Sequence, residues 1–254
     1  MTKSFLTIAI SLLSMSLAAQ EVAQWRGPNR NGIYNETGLM REWPASGPRM
    51  LWHFDGLGEG YSSAAVTSSA VYLTGMVDGK GFLFALDHTG KQLWKKEYGR
   101  EWNSSHPGVR TTPLVIDDRL YFFSSYGVLM CLNAKTGQTI WSIDTFRDFG
   151  GRNIDWGVTE NLLHDGNIIY CSPGGRDVNI IAVDRMTGKL VWKSRGGDEK
   201  SAYGSPVIFT HAGKKILATM MEKTVHAYDA ATGEFLWKYD HINQYSVHPN
   251  SPHY

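Results

Sequence analysis

The sequence predicts an all-β protein, a β-propeller of four-stranded antiparallel blades. Its composition, with 27 Gly, 12 Tyr and 9 Trp in 254 residues, is typical of many short strands joined by tight turns. A recurring Trp is the second observation, because its copies follow one another at steps of 47, 51 and 45 residues. Two further columns of residues repeat in the same phase. This period suits one four-stranded propeller blade.

The main repeat is an Asp or Asn, a Thr-Gly pair, and a Trp four residues after the Gly. Its copies are Asp87, Thr89, Gly90 and Trp94; Asn133, Thr136, Gly137 and Trp141; Asp184, Thr187, Gly188 and Trp192; and Asp229, Thr232, Gly233 and Trp237. An Asp or Asn side chain can bond its own backbone, and Gly accepts a left-handed conformation, so the pattern predicts a turn between the third and fourth strands. We expect each Trp on the fourth strand to pack between neighbouring blades.

The two other columns mark the first and second strands of each blade. Each member of the first column ends a short apolar pair that opens a strand; these residues are Tyr72, Tyr121, Tyr170 and Leu217. The other column is Ala64, Pro113, Leu162, Pro206 and Pro252. Proline cannot donate to a ladder and is confined to strand edges or first positions. This column therefore predicts innermost strands that line a central channel.

The repeats also set the expected boundaries within the predicted propeller at 61–254. The blades are predicted at 61–98, 108–144, 157–195 and 203–240, with a fifth beginning at 251. In the N-terminal segment, 20–60, we expect a ring-closing strand near 50–54 that carries Trp52. Propellers close radially, and the repeat stops soon after Pro252, so we expect a ring truncated at its C-terminus. A closed ring of four blades is the alternative.

Residues 1–19 have the layout of a signal peptide. Lys3 precedes an apolar run from Phe5 to Leu17, which ends in Ala18 and Ala19. The run is shorter than the roughly 20 residues that a membrane span needs; a buried N-terminal helix is the alternative. No cysteine follows the run, so we expect a periplasmic or secreted protein that is neither a lipoprotein nor inserted in a membrane. The formal net charge of +1, without long basic runs, argues against nucleic-acid binding.

The pattern of Ala182, Asp184, Thr187, Gly188 and Trp192 resembles the repeat of the pyrroloquinoline quinone (PQQ) propeller superfamily. The resemblance covers nearly all of the chain after the signal peptide. The opening stretch 24–32 and the stretch 156–175 are similar to a bacterial branch of PQQ-binding-like repeat proteins. The resemblance implies the propeller fold with its WD40-like architecture.

The resemblance also implies two classes of function. The first is a non-catalytic binding or scaffold protein with a protein or glycan partner in the cell envelope, similar to the outer-membrane assembly lipoprotein, from which this chain departs by lacking the lipid-attachment cysteine. The second is a quinoprotein dehydrogenase that oxidises an alcohol or sugar with PQQ and calcium, the latter held by carboxylate and amide oxygens. The methanol-oxidising branch has a disulfide between adjacent cysteines, whereas Cys131 and Cys171 are far apart in sequence. We expect the first class, without catalytic residues, metal or cofactor, and buried thiols at both cysteines.

The best candidates for ligand binding are polar residues on the channel-facing strands and the loops before them. They are Arg110, Arg152, Asp155, Glu160 and Asn161, with Trp102, His106 and Trp156 nearby in sequence. Glu160 and Asn161 stand where other blades have small residues. A carboxylate and an amide at the channel suit a cation or a polar ligand, and a buried hydrogen-bonded pair between blades is the other interpretation. Arg110 is expected to pair with such a carboxylate.

Overall fold

The computed structural model describes residues 20–195 and 197–254. The predicted signal peptide therefore lies outside the described residues. Within the described ranges, no helix is both long and apolar enough to cross a bilayer.

The all-β prediction is confirmed: four antiparallel sheets, each with the four strands of one blade, follow one another along the chain. Blade 1 contains β2 Ala65–Val66, β3 Val71–Val77, β4 Lys80–Leu86 and β5 Gln92–Arg100. Blade 2 contains β6 Leu114–Ile116, β7 Arg119–Phe123, β8 Val128–Asn133 and β9 Thr139–Asp144, and the short helix α1 Thr145–Phe149 follows it. Blade 3 contains β10 Leu163–Asp165, β11 Ile168–Cys171, β12 Ile180–Asp184 and β13 Leu190–Ser194. Blade 4 contains β14 Val207–His211, β15 Lys214–Met220, β16 Thr224–Asp229 and β17 Phe235–Asp240, and a short strand β1 Val22–Ala23 precedes all four blades.

The pairing of the strands agrees with the tyrosine column in blades 1 to 3. In blade 4 the column is shifted by one residue. In blade 1, Tyr72 lies opposite Ala85, which lies opposite Trp94, and blades 2 and 3 repeat this arrangement. In blade 4, Ala218 rather than Leu217 takes the equivalent position. Since successive side chains of a strand point to opposite faces, Leu217 lies on the other face of its sheet.

The turn between the third and fourth strands is built by the Asp or Asn side chain. Oδ1 of Asp184 accepts hydrogen bonds from the backbone N–H groups of Met186 (3.0 Å) and Thr187 (2.8 Å) and from the Thr187 hydroxyl (2.8 Å). Gly188 then takes a φ of +70°. In blade 2, Asn133 makes the same three bonds, so the turn needs an oxygen acceptor rather than a charge.

Asp184→Ala is expected to lower the free energy of unfolding by about 1–2 kcal/mol, because three donors lose their acceptor at a partly exposed turn. Asp184→Asn keeps that acceptor, as Asn133 does in blade 2, and is expected to cost less than about 0.5 kcal/mol. Urea unfolding of both variants measures the difference. Equal losses in the two variants would contradict this account of the turn.

Each repeat Trp packs against the turn glycine of the following blade. A Cβ atom built on Gly137, Gly188 or Gly233 would lie 2.5–2.9 Å from the ring of Trp94, Trp141 or Trp192, respectively. The indole Nε1 also donates to a backbone carbonyl of the following blade, as Trp192 does to Ala230 at 3.1 Å. Buried apolar clusters likewise join neighbouring blades. The series ends at Trp237, which is 43% exposed, and no described glycine lies against it.

The segment near 50–54 differs from the expected strand. Residues 51–54 are not part of any strand among the described residues, since no neighbouring strand pairs with them. Trp52 nevertheless lies where a repeat Trp would, because a Cβ on Gly90 would come within 2.7 Å of its ring. Closure of the ring by this segment stays a prediction.

The channel-facing edges of the blades are linked by a relay of hydrogen bonds. The backbone N–H of Ser63 donates to Thr112 Oγ1 (3.0 Å), and that of Thr112 donates to Asn161 Oδ1 (2.8 Å). The relay continues from the N–H of Asn161 to Ser205 Oγ (3.0 Å) and from that of Ser205 to Ser251 Oγ (3.2 Å). Ser251 therefore takes the position that the first strand of a further blade would supply.

Candidate functional site

The N-terminal segment lies along the inner edges of the blades. Strand β1 pairs antiparallel with β6, with Val22 opposite Ile116 and Ala23 opposite Val115, so the sheet of blade 2 has five strands. Residues 24–31 then lie against blades 3 and 4. The repeat pattern did not predict this placement, because the segment lies outside the repeats.

Arg30 ties this segment to the edge of blade 3. Its Nη1 donates to the carbonyl of Leu162 (2.6 Å), and its Nη2 donates to the carbonyl of Asn161 (3.2 Å). Burial lowers the pKa of Arg30 to about 10, so the guanidinium stays charged at neutral pH. Sequence reasoning did not single out Arg30, since only the fold brings it to the channel-facing residues that it contacts.

Glu160 is a buried carboxyl group close to that charge. It is 1% exposed, and its Oε1 accepts a hydrogen bond from the backbone N–H of Ser172 at 3.0 Å. Burial raises the pKa of Glu160 to about 7, although the hydrogen bond from Ser172 and the charge of Arg30 act in the opposite direction. Burial also raises the pKa of the neighbouring Cys171 thiol, with a smaller contribution from Glu160.

Asn161 links blade 3 to both neighbouring blades. Its Oδ1 accepts the N–H of Thr112, and both its backbone N–H and its Nδ2 donate to Ser205 Oγ, the latter at 3.3 Å. Glu160 is buried as well, but its hydrogen bond with Ser172 lies within blade 3. The interpretation as a buried, hydrogen-bonded link between blades therefore describes Asn161 and not Glu160.

The other three candidates lie in separate interactions. Arg110 was expected to pair with a carboxylate, and instead its Nη1 donates to the carbonyl of Trp156 (2.9 Å) while its Nη2 donates to backbone carbonyls of the preceding loop. Arg152 pairs with Asp198, with 2.7 Å between Arg152 Nη2 and Asp198 Oδ1. Asp155 pairs with Lys200, with 3.2 Å between Asp155 Oδ1 and Lys200 Nζ. Arg110, Arg152 and Asp155 therefore make three separate contacts and do not form one site.

A cleft of about 710 Å³ opens between the N-terminal segment and blades 3 and 4. Its lining includes Trp25, Arg26 and Arg30 of the N-terminal segment, His164 and Asp165 of β10, and residues 249–254. The guanidinium carbons of Arg26 and Arg30 lie 5.3 Å and 5.6 Å from the centre of the Trp25 ring. Two cations thus lie close to one indole at the cleft.

Comparison with known proteins places this architecture in a family. Residues 44–148 and 176–248, more than half of the chain, match the profile of the family described as outer membrane protein assembly factor BamB. The chain belongs to this BamB family. The resemblance to PQQ-type repeat propellers is thereby confirmed, and the repeat Trp and Gly columns are the residues that carried it.

Relatives of this BamB-family chain include both assembly factors and dehydrogenases. The outer membrane protein assembly factor BamB of Kangiella koreensis is 30% identical over 73% of this chain and 44% of its own length. The quinoprotein alcohol dehydrogenase PedH of Pseudomonas putida is 26% identical over 58% of this chain and 25% of its own length. The solved quinohemoprotein alcohol dehydrogenase from Comamonas testosteroni shares the fold, with a TM-score of 0.58 and 17% identity over 80% of this chain and 41% of that one. The chain spans less than half the length of these relatives.

The candidate residues of this BamB-family chain are not arranged as a calcium site within the described ranges. Calcium takes six to eight oxygen ligands. Glu160 Oε1 and Asn161 Oδ1 each already accept a backbone N–H, and the carboxylate of Asp155 pairs with Lys200. In the described ranges, no group of three or more His, Cys, Asp or Glu side chains could hold a metal ion. Cys131 and Cys171 are both free and buried.

Proposed function

We propose that this chain is a non-catalytic binding or scaffold propeller of the bacterial cell envelope. Its partner would be a protein of outer-membrane protein assembly, the process named in the description of its family. The proposal includes export through the signal peptide at 1–19 to the periplasm or the exterior, without a lipid anchor or bound cofactor. A glycan partner is the less favoured form of the same function.

An exposed apolar arm carries the proposal. Residues 33–51 form no helix or strand, and seven of their large apolar side chains are 57–74% exposed. These are Ile33, Tyr34, Leu39, Met40, Trp43, Met50 and Leu51. Exposed apolar surface of this extent is typical of sites of interaction, so seven such side chains within residues 33–51 support recognition of another protein.

The channel-facing residues support binding over catalysis. The relay between blades already uses the polar groups of Thr112, Asn161 and Ser205. Glu160 is buried and hydrogen-bonded to the backbone of Ser172. A general acid or base must lie within hydrogen-bond reach of its substrate, and none of these groups is exposed to one.

The arm is tested by photo-crosslinking in the intact protein in its native cells. A photoreactive amino acid in place of Trp43 is expected to form a discrete adduct that contains an outer-membrane assembly protein, identified by mass spectrometry. The same amino acid in place of Gln138, an exposed polar residue of blade 2, is the matched control and is expected to form none. The same adducts from both positions, or none from position 43, would overturn the proposed binding role of the arm.

Titration of the purified protein with PQQ and calcium tests the dehydrogenase alternative. A ligand that binds only the native state at a hundred times its Kd stabilises it by about 2.7 kcal/mol. We expect no shift in Tm and no dye reduction when alcohols or sugars are added. A clear increase in Tm together with dye reduction would contradict the proposed non-catalytic function.

A further inference from the structure

We propose that the cleft between residues 24–31 and blades 3 and 4 binds a carboxylate group carried on an apolar body, through Arg26 and Arg30 beside Trp25. This site is separate from the apolar arm. It does not depend on the proposed partner, and it is tested without that partner.

The cleft holds positive charge that the described residues do not neutralise. Neither Arg26 nor Arg30 has a carboxylate within 4.0 Å among them. The acceptors of Arg30 are neutral oxygens, and its buried Nε has no hydrogen-bond partner in the described ranges. Arg26 is exposed and donates only to the carbonyl of Asn31, at 3.3 Å. Arg26 therefore keeps most of its donors free for a ligand, whereas Arg30 contributes mainly its charge.

The acidic groups nearby do not cancel this charge. Asp165, which lines the cleft, lies 2.6 Å from Lys215 Nζ and is already paired. Glu160 lies behind the edge of blade 3, buried and bonded to Ser172, and its raised pKa of about 7 leaves it partly protonated at neutral pH. His164, also at the cleft, has a buried Nδ1 without a hydrogen-bond partner among the described residues. The net field at the cleft therefore attracts an anion.

The shape and walls of the cleft favour an organic carboxylate. Its volume of about 710 Å³ lies within the range of small-molecule sites, about 300–1,000 Å³. Apolar rings of Trp25, Pro206 and Pro252 line it, and Tyr254 stacks on Phe209 with 4.3 Å between ring centres. A guanidinium offers paired N–H donors that match the two oxygens of a carboxylate. The apolar walls would then hold the body that carries the carboxylate.

The test follows the indole N–H signal of Trp25 in ¹H–¹⁵N NMR spectra of the purified protein, assigned with Trp25→Phe. N-acetylphenylalanine is expected to shift this signal in a saturable manner, whereas its uncharged amide is not. Arg26→Gln changes an exposed side chain and is expected to weaken binding at least tenfold, because a charge-assisted hydrogen bond is lost. Arg30→Gln should weaken it as well, but its two backbone contacts make Arg26→Gln the safer variant.

Arg147→Gln is the matched control, since Arg147 is exposed and pairs with its neighbour Asp148; its affinity should equal that of the unaltered protein. An acetylated tripeptide that ends in a free phenylalanine carboxylate distinguishes the source: tighter binding than the single amino acid indicates a peptide terminus, and equal binding indicates a free acid. Any one of three results would overturn the proposal. The acid and its amide could shift the Trp25 signal equally, inorganic phosphate could bind as tightly as the acid, or Arg26→Gln could bind the acid with the affinity of the unaltered protein.

Discussion

Trp192→Ala is expected to lower the free energy of unfolding by about 3–5 kcal/mol, the usual cost of removing a large buried aromatic side chain. The indole is 8% exposed, lies on Gly233 and has its ring centre 5.7 Å from that of Tyr170. Its Nε1 also donates to the carbonyl of Ala230, which would keep only the Tyr170 hydroxyl as a donor. The substitution thus opens a cavity between blades 3 and 4. Denaturant unfolding followed by circular dichroism measures the loss.

Trp237→Ala is the matched control for that experiment. Trp237 belongs to the same column but is 43% exposed, and no described glycine lies against it. Its removal is expected to cost clearly less than the removal of Trp192, because a larger part of the Trp237 side chain already contacts water. Losses of similar size in both variants would mean that packing between blades is not what makes the repeat Trp important.

Glu160→Gln is expected to change the pH dependence of stability by about 3 kcal/mol, the equivalent of raising a carboxyl pKa from 4.5 to about 7. The folded state binds the Glu160 proton more tightly than the unfolded state, so the stabilisation is complete below pH about 4.5 and is lost as the pH rises to about 7. Gln keeps the oxygen that accepts the Ser172 N–H and cannot ionise. The stability of the variant relative to the unaltered protein should therefore rise between pH about 4.5 and about 7. Above that range, the difference between the two proteins should be constant.

The measured quantity is the difference in free energy of unfolding between Glu160→Gln and the unaltered protein at each pH. This difference is needed because another buried group changes the stability of both proteins with pH in the opposite direction. Burial lowers the pKa of His226 from 6.5 to about 4, so its contribution to stability is lost as the pH falls through that range. His226 is common to both proteins and cancels in the difference. Glu97→Gln, at an exposed glutamate paired with Lys80, is the matched control for a Glu-to-Gln change at the surface. A flat difference for Glu160→Gln would show that Glu160 does not titrate between these pH values.

The blades were predictable from the repeat because each copy contains the residues that form its own turn. The Asp or Asn, Thr and Gly of a turn interact within a few residues of one another, so Asp184 and Gly188 could be assigned from spacing alone. The packing of the repeat Trp between neighbouring blades was also predicted, whereas its partner, the turn glycine of the next blade, was found only in the structure. Blade 4 shows the limit, because Leu217 continued the column in sequence while the pairing of strands placed Ala218 there.

The candidate site was harder to predict because its contacts join residues far apart in sequence. Asn161 and Glu160 were candidates because of their residue types, but Asn161 bonds Thr112 of blade 2, and Glu160 bonds Ser172 within blade 3. Arg110, expected to pair with a carboxylate, bonds backbone carbonyls whose positions no side-chain pattern reveals. The cleft requires Arg30 to meet the edge of blade 3, which is 131 residues away.

Composition and period were enough to predict the class of fold, the four blades of this chain and the Trp column that packs between them, because turns and strand alternation are local properties that recur in every copy. The folded chain alone shows where the N-terminal segment lies and which charges stay unpaired. Those features depend on burial and on neighbours from other blades, through desolvation of Glu160 and the placement of Arg30 beside Trp25. Neither has a counterpart in the repeat.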